Sequence, residues 1–99
     1  MFAGGRRLSN PYFLLLAAPR ADEHTARLGM AIARRYAPTA VERTRIKRLV
    51  RESFRARRAG LPPLDVVVML RAATAGVDNA TLRAGLARLW DLLQGRNAP

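Results

Sequence analysis

The sequence predicts an α+β domain in which a small, antiparallel-rich sheet is covered by helices. Three observations carry this. Apolar runs of strand length occupy residues 12–18, 27–33 and 64–70. Two other stretches place apolar residues at helical spacing between clear start and stop signals. Finally, 99 residues with 49% apolar content supply one core and leave no room for a second.

Residues 1–10 are Gly-rich and basic and show no clear period. Pro11 can open a strand but cannot donate within its ladder, and the run from Tyr12 through Leu14 and Leu16 to Ala18 is apolar on both faces. A polar, turn-like link over residues 19–25 should bring the second strand, 27–33, antiparallel to the first. Tyr36-Ala37-Pro38-Thr39 breaks the pattern, and Thr39 with Glu42 three residues later fits a capping box. The helix that begins there should run to about Arg58 and stop at Gly60, ahead of Pro62 and Pro63. Residues 64–70 are β-branched and nearly continuous, as expected of a buried strand. After a loop over 72–77, Asp78 or Asn79 can cap a last helix in which Leu82, Leu86, Leu89, Trp90 and Leu93 form one apolar stripe. Residues 95–99 should fray. No internal repeat or linker is evident, so residues 1–99 read as one domain.

Charge narrows the function. Eighteen Lys and Arg stand against seven Asp and Glu, a formal net charge of +11. Such an excess resists compaction and calls for a polyanionic partner, nucleic acid first and an anionic membrane second. Seventeen of the eighteen cations are Arg, the exception being Lys47. Arg forks onto phosphate with two hydrogen bonds, although an Arg-rich genome gives the same composition. The absence of Cys excludes disulfides and thiolate zinc sites. No apolar run approaches the roughly 18 residues of a membrane-spanning helix, and residues 1–7 lack the features of a signal peptide. A cytoplasmic location is expected.

The cations concentrate on the first helix. At about 100° per residue, Ile46, Leu49, Val50 and Phe54 share one side. Arg43, Lys47, Arg48, Arg51, Arg55 and Arg58 lie on or beside the other, and Arg45 falls near the edge of the apolar sector. A plain solvated face mixes both signs, because like charges at i,i+4 repel. Here only Glu42 and Glu52 balance the row, and Arg34-Arg35 adds charge just before it. A basic helix can also lie on a membrane, but its apolar side is what the sheet needs as cover. No membrane partner is expected.

From Arg43-Thr44-Arg45-Ile46-Lys47-Arg48 through Arg51-Glu52 to Phe54-Arg55, the sequence resembles the bacterial ribonuclease P protein family, whose signature is Arg-Asn-Arg-Ile-Lys-Arg, then Arg-Glu and Phe-Arg at the same spacing. Arg27-Leu28-Gly29 with Ala33-Arg34-Arg35, residues 61–68 and Leu89-Trp90 agree with other family stretches. The resemblance implies a two-layer α+β sandwich with a left-handed βαβ crossover, of the ribosomal protein S5 domain 2-like kind; sequence alone suggests the opposite hand. It also implies a subunit of an endoribonuclease that removes 5′ leaders from precursor tRNA. Catalysis would reside in ribonuclease P RNA with Mg²⁺ bound mainly there, and this chain would carry no catalytic and no metal-ligating residue. Carried over by position, Arg34, Arg35, Arg43, Thr44, Arg45, Lys47, Arg48, Arg51 and Arg55 become RNA contacts, and Phe2, Leu14 and Leu16 line a cleft between helix and sheet that receives the single-stranded leader of precursor tRNA. No protein partner is implied.

Two departures from the family stand out. Thr44 replaces the usual Asn, keeping one donor and one acceptor but losing the amide's second donor. The family also opens with an aromatic-bearing helix that walls the leader cleft, and this chain starts after nearly all of it, with Phe2 matching its last aromatic. The alternative function is a stand-alone or ribosome-associated RNA-binding module. Asp22-Glu23-His24 reads as a solvated turn rather than a metal cluster. Trp90 reads as core, while Tyr12 and Tyr36 are better placed to stack on bases.

Overall fold

The computed structural model describes residues 5–20 and 25–95. Its elements run β1 (Arg6–Ser9), β2 (Phe13–Pro19), β3 (Arg27–Ala31), α1 (Ala40–Arg57), a 3-10 turn (Arg58–Gly60), β4 (Leu64–Leu70) and α2 (Asn79–Leu93). The strands form one mixed sheet in the order β1-β2-β4-β3.

Strand β1 was not foreseen, because Arg6-Arg7-Leu8-Ser9 has a single strong apolar residue. A local turn makes it. Asn10 Oδ1 accepts hydrogen bonds from the backbone N–H groups of Tyr12 (2.9 Å) and Phe13 (2.7 Å). The Asn10 N–H donates to the Phe13 carbonyl at 3.0 Å. The chain therefore reverses there, and Arg6–Ser9 pairs antiparallel with β2.

The expected hairpin between the second and third strands does not form. β3 runs opposite to β2 but pairs with β4, in parallel, and β4 pairs antiparallel with β2. The physical reason is that β4 is apolar on both faces (Val66, Val68 and Leu70 on one, Val67 and Met69 on the other), so the centre of the sheet is its stable place. β3, with Arg27, Gly29 and Ala31 exposed, is the better edge. The β3–α1–β4 segment is the βαβ unit. β3 also ends at Ala31, two residues early, because the Ala33 carbonyl accepts from the N–H groups of Tyr36 and Ala37. Arg34 and Arg35 consequently lie in a turn.

Both helices pack on the sheet face that carries Phe13, Leu15, Ala17, Val66, Val68 and Leu70. They contribute Ile46, Leu49, Val50 and Phe54 from α1, and Leu82, Leu86, Leu89, Trp90 and Leu93 from α2. Trp90 is fully buried as expected. Its ring meets Phe54 edge-on at 5.7 Å, and its Nε1–H donates to Ser53 Oγ at 2.7 Å. Thr39 caps α1 by accepting from the Glu42 N–H at 3.1 Å, and Asp78 caps α2 by accepting from the Thr81 N–H at 3.3 Å. Gly95, at φ +77°, adopts the left-handed conformation that closes α2. No described helix is long and apolar enough to cross a membrane.

Candidate nucleic-acid interface

The cations of α1 divide into two groups. Arg43 turns back on the chain that leads into the helix, donating through Nη1 to the carbonyls of Ala37 and Pro38, both at 3.0 Å. Arg45 is held completely. Its Nε–H donates to Glu42 Oε1 (3.0 Å), and Nη1 donates to the Val77 carbonyl (3.1 Å) and Asn79 Oδ1 (2.6 Å). Nη2 donates to Glu42 Oε2 (2.7 Å) and the Thr74 carbonyl (3.0 Å). A guanidinium has five N–H donors, and five acceptors are in place. The capping-box role expected of Glu42 is only half realised: the Thr39 hydroxyl does its part, but the Glu42 carboxylate serves Arg45 and the fully buried Thr74 hydroxyl (2.7 Å) instead. The hydrogen bonds from Arg45, aided by that of Thr74, hold the Glu42 carboxyl below its ordinary value against the opposing effect of burial. The same pairing raises Arg45.

The second group is unpaired. Among the described residues the side chains of Lys47, Arg48, Arg51 and Arg55 make no hydrogen bond or ion pair. They lie within roughly a third of the helix circumference, opposite the buried stripe. Arg48, Arg51 and Arg55 are exposed and Lys47 is half-buried. Successive cations at i,i+4 cost a few tenths of a kcal/mol per pair without a counter-charge. The exposed Thr44 lies on the same side of the helix. Farther along, Arg57 is tied to Asp91 (2.7 Å) and Gln94, and Arg58 to the Ala26 carbonyl and Thr25. The turn before α1 exposes Arg34, while the Arg35 guanidinium lies 5.0 Å over the Tyr36 ring, which occupies that aromatic face.

Leu14 and Leu16 do not share a cleft with α1. The space between α1 and the sheet is filled by the core, and alternation along β2 turns both leucines to the opposite face. There they stand beside Met69 and Val67 in register, with Arg7 and Ser9 on one flank and Gly29 and Ala31 on the other. This face is apolar, half-exposed and without a covering helix among the described residues. Phe2 and the Asp22-Glu23-His24 turn lie outside the described residues. Elsewhere no group of three or more His, Cys, Asp or Glu is arranged to hold a metal.

The chain as a whole has counterparts among known proteins. The model of one family, Ribonuclease P, matches residues 1–94. The ribonuclease P protein component of Thioalkalivibrio sulfidiphilus is 52% identical over 90 residues, covering 91% of this chain and 74% of that protein. The Thermotoga maritima RNase P protein, solved in complex with 1-(4-fluorophenyl)-2-thiourea, superposes with a TM-score of 0.77. It is 33% identical over 87% of this chain and 83% of its own. The Staphylococcus aureus RNase P protein superposes at 0.83 over 94% of this chain and 84% of its own; at 22% identity that likeness concerns the fold. Sequence and fold together show that the chain belongs to the ribonuclease P protein family.

Proposed function

We propose that this chain is the protein subunit of a ribonuclease P ribonucleoprotein, which binds the catalytic RNA through the α1 ridge and assists removal of 5′ leaders from precursor tRNA. The observation that carries the reading is the row Lys47, Arg48, Arg51 and Arg55, four cations inside the family's signature helix with no protein partner among the described residues. Each phosphate they meet releases condensed counterions, so four contacts give a log K versus log salt slope of about −3 to −4. Thr44 extends the ridge toward the N-terminus of α1, and Arg34 lies exposed in the turn before that helix. Arg43 and Arg35 flank it with their guanidinium groups partly committed to the protein, and Arg45 supports it from beneath.

In this proposal the single-stranded leader lies across the open sheet face, on Leu14, Leu16, Val67 and Met69, where bases can rest on an apolar floor. In this proposal the holoenzyme's Mg²⁺ is held mainly by the RNA. The protein's part is to hold polyanions together and to lower their mutual repulsion.

Reconstitution tests the proposal. At limiting Mg²⁺, adding the protein to ribonuclease P RNA should speed precursor-tRNA cleavage, and that gain should fade steeply with added salt. If the protein binds RNA but never accelerates cleavage, it is a stand-alone RNA-binding module and the proposal fails.

A further inference from the structure

The stretch of α1 from Ala40 to Glu52 and the start of α2 (Asn79 and Arg83) border an open groove of about 460 Å³, within the roughly 300–1,000 Å³ range of small-ligand sites. Val41, 81% exposed, is the one strongly exposed large hydrophobic residue among those described, and it forms one wall. Leu49 supplies apolar floor. Arg48 and Arg83 reach the groove from different helices, both exposed and both without a protein partner among the described residues. Arg45, also on the lining, is charge-compensated by Glu42 and immobile in its five hydrogen bonds, so that side of the groove is organised before anything binds.

We propose that this groove receives a single unpaired nucleotide of the RNA partner, its base against Val41 and Leu49 and its phosphates on Arg48 and Arg83. The proposal rests on the RNA-binding reading above and extends it to α2, whose Arg83 is not part of the signature helix. An apolar wall flanked by two cations without a partner among the described residues complements a flat ring next to an anion, which is the chemistry of a nucleotide. A base stacked inside a duplex presents only its edge, so an extruded or single-stranded nucleotide is the occupant that fits. Glu52, on the same lining, makes the groove unsuited to bare phosphate but offers an acceptor to a base amine.

The test uses the full chain bound to ribonuclease P RNA. Val41→Thr keeps the side-chain shape at an exposed position, so folding should be unaffected, but it places a hydroxyl against the base. It should weaken RNA binding roughly fivefold or more without changing the salt slope. Arg83→Ala should weaken binding and reduce the magnitude of the slope by about 0.7–0.9, the loss of one phosphate contact. Chemical probing of base edges should find an unpaired nucleotide protected by the wild-type protein and reactive again with Val41→Thr. Wild-type affinity in both variants, or protection unchanged by Val41→Thr, overturns the proposal while leaving the ridge intact. Failure of the wild-type protein to bind the RNA removes the reading beneath it as well.

Discussion

Replacing Glu42 with Gln separates two roles for Arg45, because they predict opposite results. If Arg45 is a phosphate contact, Glu42 competes with the RNA for it, and removing that negative charge should strengthen binding. If Arg45 instead fixes α1 to the loop before α2, losing the charge loosens the support and weakens binding. The structure favours the second outcome. The Glu42 and Arg45 side chains are 15% and 27% exposed, and they share two bonds of 3.0 and 2.7 Å. Exposed pairs contribute about 0–1 kcal/mol, while breaking a buried one costs about 3–5. This pair lies between, so Glu42→Gln should cost about 2 kcal/mol. In a domain of this size that lowers Tm by roughly 10 °C. Differential scanning fluorimetry and a salt titration of binding to ribonuclease P RNA read both quantities. Unchanged Tm with tighter binding and a salt slope steeper by about one unit would refute the reasoning, since Arg45 would then have been released to phosphate.

The same residue makes a pH prediction. The Glu42 pKa is held below its ordinary 4.5 by Arg45, so its stabilisation is complete above that value and disappears as pH falls through the lower folded-state pKa. The stability gap between wild type and Glu42→Gln, measured by urea unfolding, should therefore be constant near neutrality and close in acid. Replacing Arg51 and Arg55 together with Ala should cut the magnitude of the RNA-binding salt slope by about 1.4–1.8. Relief of i,i+4 repulsion should at the same time leave Tm unchanged or raise it by about 1–3 °C; unaltered affinity would remove these residues from the interface. Trp90→Phe deletes the 2.7 Å bond to Ser53 and should destabilise by about 1–3 kcal/mol, seen as a lower urea midpoint at unchanged m. Leu16→Asp puts a charge on the open sheet face and should weaken binding of precursor tRNA with a leader but not of mature tRNA; equal loss for both would move the leader elsewhere.

What the sequence revealed depended on how local the determining forces are. Both helices were legible because Thr39, Gly60, Asp78 and the apolar stripes act within a few residues of one another. β4 was legible from its β-branched run. Its insertion between β2 and β3 was not, because strand order is decided by which strand has two apolar faces to bury, a comparison across the whole chain. β1 escaped because its pairing comes from the Asn10 turn rather than its own residues. At the interface, the unpaired ridge followed from helix geometry. The partners of Arg45 did not, since Thr74, Val77 and Asn79 lie about thirty residues away. Arg45's place near the edge of the apolar sector was the one available sign. Leu14 and Leu16 were singled out correctly as one strand face, but periodicity cannot tell which face the helices will cover.

The position of β4 also governs the order of events during synthesis. β2 and β3 emerge early, yet neither pairs with the other; each waits for a strand that follows an 18-residue helix. Until residues 64–70 leave the ribosome, the nascent chain carries two apolar strands with unsatisfied inner edges. These are the features that promote aggregation. Closing the parallel β3–β4 ladder also requires a long-range loop, which slows folding. Folding should therefore switch on late and cooperatively, once α1 and β4 can arrive together.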